Sequence, residues 1–394
     1  MISLKKLLQR STQSTSFIPE IDGLRFFAII TVVFFHLNTA YSRQIGMDDL
    51  AISVMGGKDN IWAPAWWVIR LDLGVKVFFA ISGFVLALPF LKYYLQLGKK
   101  VAIGDYFYRR LTRLEPPFVV TLLFFSLVHY VVFDTSIGEL QPHFWAGLVY
   151  AHVLIFGAPS PINPVTWSLE TEAQFYMLVP AFFALLFAIR NVYIRYVFLL
   201  LVFLASIWFR SITFNVYPHV SSTILAYFSN FLMGILFAWF FLLNRSFFES
   251  KKIGWDILGV ASVFLLFIVY KPQNNFLNNV WFNMATLGLF LAAFKGRLFN
   301  RFFSWTPVYL IGGMCYTIYL LHYAFFHLIV KFTGGWSLGI NYFTDFLLQA
   351  LVVIPVILGI SVLFYVLIEK PCMDKNWPQK LIAFLSSKSK IKGA

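Results

Sequence analysis

The amino-acid sequence predicts an all-α integral membrane protein, a bundle of about ten transmembrane helices with both termini in the cytoplasm. Of its 394 residues, 60% are hydrophobic and only 12% are charged, and the mean hydropathy is +0.76. A soluble chain of this length could not bury so much apolar surface. The formal net charge of +14 comes from basic residues that cluster between apolar segments, as they do in cytoplasmic loops. We therefore expect no nucleic-acid partner, and the two cysteines predict neither a disulfide framework nor a metal site.

Apolar length and the distribution of Lys and Arg predict the individual spans. They are residues 24–40, 74–91, 117–133, 167–189, 195–209, 222–243, 253–270, 280–294, 308–330 and 346–368. The short apolar segment 143–156 does not fit as a further crossing, because the basic residues Arg190 and Arg195 would then lie outside the cytoplasm. We expect this segment to be a re-entrant or interfacial helix on the outer side.

The same pattern divides the chain into three parts. A basic cytoplasmic segment, 1–18, precedes a transmembrane domain, 19–371, and a basic cytoplasmic tail, 372–394, follows it. The apolar run after the basic N-terminus starts late, is long and lacks a small-residue cleavage site. We therefore expect a first membrane anchor and not a removable signal.

Arg25 and His36 lie in the first predicted span. Eleven residues are roughly three helical turns, so both side chains share one face, about 16 Å apart along the axis. Placing ionisable side chains at two depths of a lipid bilayer costs free energy. Such residues therefore by default indicate a polar pathway through the protein. The alternative is an Arg anchored at the headgroups and a His hydrogen-bonded inside the bundle.

Four other places put polar groups near or inside apolar segments. Arg110 and Arg113 would share a helix face as a fork suited to phosphate, or act as positive-inside anchors. Glu170 suits a helix N-terminus, whereas Glu172 is harder to explain as a cap.

Two further sites lie near the C-terminus. Cys315, Tyr319 and His322 fall on one helix face, where His322 is either catalytic or a hydrogen-bonded bundle histidine. Glu369, before Lys370 and Pro371, is most simply an interfacial stop signal.

Six motifs occur in order between Pro19 and Pro371. They are Asp22-Gly23-Leu24-Arg25 with His36, Phe78-Phe79-Ala80-Ile81-Ser82-Gly83-Phe84, Arg110-x-x-Arg113, Trp167-Ser168-Leu169-x-x-Glu172-x-Gln174-Phe175-Tyr176, Tyr319-Leu320-x-His322 and Glu369-Lys370-Pro371. Together they resemble acyltransferase family 3, ten-helix inner-membrane enzymes that O-acylate surface sugars, lipid-linked glycans or small glycosides.

The resemblance implies that Arg25 and His36 are essential and that Arg110 and Arg113 form a second basic motif. Two positions depart from the family pattern. Lys76 stands where many members have an acidic residue, and Ala173 stands where a second Glu is common. No SGNH-type esterase domain follows the last predicted helix, so we expect the single-domain version of the family.

From these residues and the resemblance we expect an O-acyltransferase. Its donor would be cytoplasmic acyl-CoA, most simply acetyl-CoA, and its acceptor a hydroxyl of a carbohydrate, glycoside or lipid-linked glycan. Arg25, Arg110 and Arg113 would contact the donor phosphates. His36 would act as a general base or as a transient acyl carrier, and a base of this type loses activity at acid pH. Glu172, which would orient His36 or act as a second acid or base, and His322 complete the catalytic candidates. The substrate-binding candidates are Trp167, Ser168, Tyr176 and Tyr319.

Two other function classes remain open at this point. A transporter or flippase could use buried His, Arg and Glu as a proton relay, although the internal repeat common in carriers is not visible. A non-catalytic membrane subunit of a glycan-assembly complex would leave the polar residues unexplained. In every case we expect a multi-pass protein of the cytoplasmic (inner) membrane surrounded by lipids, while the oligomeric state stays open.

Overall fold

The structure, a computed structural model, describes residues 4–10, 17–47, 55–214, 216–270 and 275–380. Regular structure in these ranges is entirely helical. In chain order the α-helices are α1 (Leu4–Leu8), α2 (Pro19–Gln44), α3 (Pro64–Val68), α4 (Gly74–Tyr94), α5 (Ile103–Val132), α6 (Ile137–Leu148), α7 (His152–Phe156), α8 (Trp167–Ala188), α9 (Val192–Thr213), α10 (Pro218–Ser221), α11 (Ile224–Leu243), α12 (Gly254–Val269), α13 (Phe276–Lys295), α14 (Leu298–Phe303), α15 (Thr306–Gly313), α16 (Cys315–Thr333), α17 (Tyr342–Phe364) and α18 (Lys370–Cys372). A π-helical turn, Tyr365–Glu369, joins the last two helices.

The predicted membrane bundle is confirmed in its main features. Within the described ranges, nine helical segments are long and apolar enough to cross a membrane, and each overlaps one predicted span. The remaining predicted span, 253–270, corresponds to α12, an apolar helix of 16 residues that is shorter than the others. The chain is a multi-pass membrane protein. The cytoplasmic position of both termini stays a prediction.

The prediction of one continuous helix over 308–330 is wrong. Helix α15 ends at Gly313 and α16 begins at Cys315, with Met314 between them at φ −92° and ψ 10°. Glycine lowers helix propensity, and Gly312 and Gly313 are consecutive. Gly312 also lies against α2, where a Cβ atom would overlap the carbonyl oxygen of Asp22. The chain therefore breaks where it passes close to the first turn of α2.

Helix α2 is central to the bundle, because it packs against α4, α15, α16 and α17. Leu24 and Leu37, near its two ends, are fully buried. Its buried apolar residues belong to two different core clusters, one shared with α4 and α11 and the other with α15, α16 and α17. The two clusters place Arg25 and His36 between the halves of the bundle.

Helices α4 and α11 form the most extensive helix pair. Gly83 lies against the carbonyl of Phe231, and Gly234 lies against the carbonyl of Ala80, so a Cβ at either glycine would overlap backbone. Small residues of this kind let helix backbones approach closely in membranes. Ser82, next to Gly83, is thereby fixed on a rigid helix pair.

Segment 143–156 contains two short helices where the sequence predicts one. Helix α6 begins earlier, at a capping box formed by Ser136 and Glu139. It ends before Tyr150, which has a positive φ of 55°, and α7 follows. Glu170 accepts a hydrogen bond from the backbone N–H of Val153 at 3.0 Å, which ties α7 to α8. The re-entrant or interfacial location of segment 143–156 stays a prediction.

Candidate active site

A wide basic cleft opens at one end of the bundle, between α2, α4 and α5. Its volume is about 750 Å³. Nine basic residues line it against two acidic ones, Asp22 and Asp105; the basic residues are Arg10, Arg25, Lys92, Lys99, Lys100, Arg109, Arg110, Arg113 and Lys375. Such an excess of cations makes the cleft suited to a polyanionic ligand.

A second, smaller cavity of about 110 Å³ lies deeper in the bundle. Only five residues line both spaces, and four of them are arginines: Arg10, Arg25, Arg110 and Arg113, with Val85 as the fifth. We call these four side chains the arginine neck and the deeper space the inner cavity. The neck is the junction through which the basic cleft adjoins the inner cavity.

The four arginines of the neck are held in different ways. Arg10 and Arg25 both donate to Oδ1 of Asp22, Arg10 over 3.0 Å. The Arg110 guanidinium lies over the ring of Tyr176, 5.3 Å from its centroid. Within the described residues, the buried Nε of Arg113 has no hydrogen-bond partner. Burial alone would lower the pKa of the Arg10 guanidinium, but Asp22 raises that pKa above its ordinary value, so Arg10 is charged.

Glu172 and Ser82 face each other in the inner cavity. The Ser82 hydroxyl donates to Oε1 of Glu172 over 2.5 Å, and both residues line the cavity. The structure thus pairs Glu172 with Ser82, and the expected role of Glu172, orienting His36 or acting as a second acid or base, stays a prediction.

Ser168 and Tyr319 also line the inner cavity, and Ser168 lies one turn before Glu172 on α8. The Ser168 hydroxyl lies 3.0 Å from the Tyr319 hydroxyl, which in turn donates to the backbone carbonyl of Val165 over 2.5 Å. This network joins α16 to the start of α8. Cys315 lines the same cavity one turn earlier on α16, so Cys315 and Tyr319 share the face that the spacing predicts.

His36 and His322 meet although 286 positions separate them in the sequence. Their ring centroids are 5.2 Å apart, and the His36 ring also contacts Tyr323, with centroids 5.2 Å apart. His322 is fully buried, and its Nδ1 lies 2.9 Å from the backbone carbonyls of Ile318 and Tyr319. Since a carbonyl only accepts, Nδ1 carries the proton and Nε2 is left with its lone pair. In the part of the chain that the structure describes, that Nε2 has no hydrogen-bond partner.

The histidine pair adjoins the inner cavity, although neither His36 nor His322 is among the residues that line it. Val32 lines that cavity and lies one turn before His36 on α2, while Tyr319 lines it and lies one turn before His322 on α16. The Tyr319 and His322 rings are 6.4 Å apart between centroids.

Not every candidate from the sequence lies in this site. Trp167 packs between the rings of Phe79 and Tyr227 and lines neither space. Lys76, which departs from the family pattern, is buried and donates to Asn279 over 2.9 Å. Glu369 is fully buried and accepts a hydrogen bond from Thr317 over 2.6 Å, so its interpretation as an interfacial stop signal is wrong.

Sequence reasoning missed two residues of the site. Arg10 belongs to a segment that hydropathy separates from the membrane domain, yet it lines both spaces. Ser82 stands in a motif that the sequence analysis quoted, but a lone Ser in an apolar helix gives no signal of its own. Its position next to Gly83, in the closest helix pair, is the feature that would have singled it out.

Comparison with known proteins agrees with the resemblance seen in the sequence. The family model of an acyltransferase domain, acyltransferase family 3, matches residues 18–366. The O-acetyltransferase OatA of Staphylococcus aureus is 25% identical over 95% of this chain and 60% of its own length. The peptidoglycan O-acetyltransferase OatA of Listeria monocytogenes is 24% identical over 80% of this chain and 50% of its own length.

A third relative, the putative peptidoglycan O-acetyltransferase YrhL of Bacillus subtilis, is 29% identical over 44% of this chain and 25% of its own length. This chain thus spans at most about 60% of the length of these relatives. No solved structure matches it. The family model covers most of the chain, including every motif from Asp22 to His322, and on that basis the chain belongs to acyltransferase family 3.

Proposed function

We propose that this protein is a membrane O-acetyltransferase that moves an acetyl group from cytoplasmic acetyl-CoA to a hydroxyl of a carbohydrate. The observation that carries the proposal is the arginine neck, since it joins a basic cleft to a cavity lined by Glu172 and Ser82 and bordered by two histidines. Family membership and the names of three relatives support acetyl transfer in particular.

The donor site in this proposal is the basic cleft together with the neck. Coenzyme A carries a diphosphate and a further phosphate at one end and its thioester at the other. The guanidiniums of Arg25, Arg110 and Arg113 would bind the phosphates, because Arg matches phosphate oxygens with two parallel hydrogen bonds. In this proposal the pantetheine arm passes between these arginines and brings the thioester into the inner cavity.

The transfer step needs a base, because a thioester leaves readily whereas a sugar hydroxyl is a weak nucleophile until it loses its proton. In the proposed step, the hydroxyl oxygen attacks the thioester carbonyl while His36 takes its proton. The C–O bond forms, the C–S bond breaks, and the CoA thiolate recovers a proton. His322, with a free Nε2 beside His36, would stabilise the imidazolium or accept the proton from it. In the covalent form of the proposal, His36 carries the acetyl group between the two substrates.

Glu172 and Ser82 would act at the approach to the histidines. A carboxylate held by a hydroxyl over 2.5 Å is fixed in direction, and it faces the cavity that the thioester would enter. We propose that Glu172 orients the reacting groups or exchanges a proton with them. Ser168, Tyr176 and Tyr319, which line the same cavity, would bind substrate.

The acceptor in this proposal is a carbohydrate, in keeping with the peptidoglycan named in two of the relatives. A lipid-linked glycan would present the same hydroxyls at the membrane. A transporter remains the alternative class, but no specific feature favours it over an enzyme, and membership of an acyltransferase family supports the enzyme.

The proposal is tested by incubating the purified protein in lipid nanodiscs with labelled acetyl-CoA and soluble peptidoglycan fragments. We expect free CoA to appear together with label on the sugar. Both products should form about 10²- to 10⁴-fold more slowly with His36→Ala, the usual loss when a general base is removed. If the wild-type protein binds acetyl-CoA but releases no CoA with any of a panel of glycan acceptors, the proposed activity is wrong.

A further inference from the structure

The N-terminal helix α1 is attached to the basic end of the bundle. Nζ of Lys370 donates to the backbone carbonyls of Lys6 and Leu7, over 2.9 and 2.6 Å. An α-helix leaves its last carbonyls unpaired, so a lysine at this point both satisfies them and complements the helix dipole. Leu8 is buried among the side chains of α15 and the π-helical turn. These contacts hold Gln9 and Arg10, which directly follow α1, close to the bundle.

Arg10 extends from this anchored segment into the neck. Its side chain is only 12% exposed, and Nη1 lies 3.0 Å from Oδ1 of Asp22. The same carboxylate oxygen also accepts from Arg25. One carboxylate therefore serves two guanidiniums, and with Arg110 and Arg113 the neck holds four cations.

The four cations of the neck exceed the acidic groups that line it. Asp22 is the acidic residue paired with them, and Glu369, which is buried near Arg10 and Arg113, already accepts from Thr317. Among the described residues, Nε of Arg113 remains buried without a partner. The four arginines are half-buried, and an excess of such cations together with an unused buried donor indicates that an anionic ligand completes the site.

We propose, on the basis of the donor site described above, that Arg10 is a phosphate-binding residue of that site and that Lys370 is the residue that positions it. The ligand class is a phosphorylated acyl thioester. The segment before the first membrane helix is then part of the binding site and not only a basic flank of the membrane domain.

The test uses two donors that carry the same thioester, acetyl-CoA with its phosphates and S-acetylpantetheine without them. Binding of each is measured with the purified full chain in nanodiscs. For Arg10→Ala we expect the Kd of acetyl-CoA to rise about tenfold, as for the loss of one charge-assisted hydrogen bond. The Kd of S-acetylpantetheine should not change. Lys370→Ala should shift the acetyl-CoA value in the same direction by less, and Lys370→Arg should restore it.

Lys5→Ala is the matched control, because Lys5 is an exposed cation on the same helix and lines neither space. It should bind both donors like the wild type. Arg113→Ala, measured in parallel, tests the donor site itself. If Arg113→Ala loses acetyl-CoA binding and Arg10→Ala does not, the inference about Arg10 is overturned and the proposed function stands.

Two further outcomes also decide the matter. An Arg10→Ala protein that binds both donors more weakly by the same factor would show that Arg10 only supports the fold, which overturns the inference. If neither Arg10→Ala nor Arg113→Ala changes acetyl-CoA binding, the donor site and the proposed function both fail.

Discussion

Two histidines from helices far apart in the sequence face each other at the border of the inner cavity. The tautomer of His322 follows from its two carbonyl neighbours, which hold the proton on Nδ1. The free Nε2 is then available to the neighbouring ring of His36. In the proposed mechanism, this arrangement would let His36 act on substrate while His322 supports its charged form.

His36→Ala should lower the rate of transfer about 10²- to 10⁴-fold, the usual contribution of a general base, with the Kd of acetyl-CoA unchanged. His322→Ala should lower the rate by a smaller factor. The measurement is CoA release by purified protein at saturating donor. His129→Ala is the control, since His129 lies on α5 and stacks on Phe133 away from both spaces. Equal activity of His36→Ala and wild type would remove His36 from the mechanism.

The hydrogen bond between Ser82 and Glu172 leads to a second prediction. Glu172→Gln keeps the shape of the side chain but removes its charge, so we expect a large loss of transfer with the protein still folded. Ser82→Ala should lower the rate by about ten- to a hundredfold, as one hydrogen bond to a charged group is lost. Ser126→Ala, which removes a hydroxyl that bonds only within α5, should leave the rate unchanged. Full activity in Glu172→Gln would contradict a chemical role for the carboxylate.

The residues of the site that could be read from the sequence are those whose type is costly in lipid. Arg25, His36, Glu172 and His322 are identified in this way, because each needs a polar surrounding. Arg10 could not be found, since its contact with the membrane domain depends on Lys370, at the other end of the chain. The position of Trp167 outside both spaces could not be read from the sequence either, because an aromatic ring gives the same pattern in a core and in a binding site.

At the scale of helices, the close pairing of α4 and α11 is what fixes the wall of the inner cavity. Hydropathy predicts both helices but not how near they come. The distance is set by Gly83 and Gly234, whose missing side chains allow backbone contact. Similarly, the break between α15 and α16 depends on Gly312 meeting α2, which is a tertiary contact that the local sequence does not reveal.

Gly234→Ala should therefore destabilise the protein, because the new Cβ would overlap the carbonyl of Ala80 and the backbone nitrogen of Phe84. The cost of such overpacking is typically about 1–3 kcal/mol. The destabilisation would appear as a lower melting temperature of the protein in detergent. That temperature is measured by fluorescence-detected gel filtration of heated samples. Gly359→Ala on α17 is the control, because no atom lies within 4 Å of the added Cβ and alanine favours a helix. Equal melting temperatures for the two variants would refute the close contact.

For the whole molecule, the sequence predicts the number and order of helices well, because apolar length is a direct requirement of the bilayer. The sequence predicts the first and last residues of each helix less well. The spans 195–209 and 280–294 extend to Val192–Thr213 and Phe276–Lys295 in the structure, since a helix continues beyond its apolar part. Orientation rests on the distribution of Lys and Arg alone.

The predicted orientation places Asn60 outside the cell and Leu97 in the cytoplasm, and both are exposed. In a background with Cys315→Ser and Cys372→Ser, a membrane-impermeant thiol reagent should label Asn60→Cys in intact cells. Leu97→Cys should be labelled only after the cells are opened. The opposite pattern would show that the topology is inverted and that the basic cleft faces away from cytoplasmic acetyl-CoA.

The arginine neck has a consequence for the membrane as well as for the substrate. A passage that lets an acetyl group cross a bilayer is a hazard to the cell, because water in such a passage would let protons and metal cations run down their gradients. Fixed positive charge at a constriction repels cations and hydrated protons, as arginines do in water-conducting channels. If the proposed donor site is correct, the guanidiniums that attract the phosphorylated donor should also repel cations at the neck and so limit ion leakage through the protein.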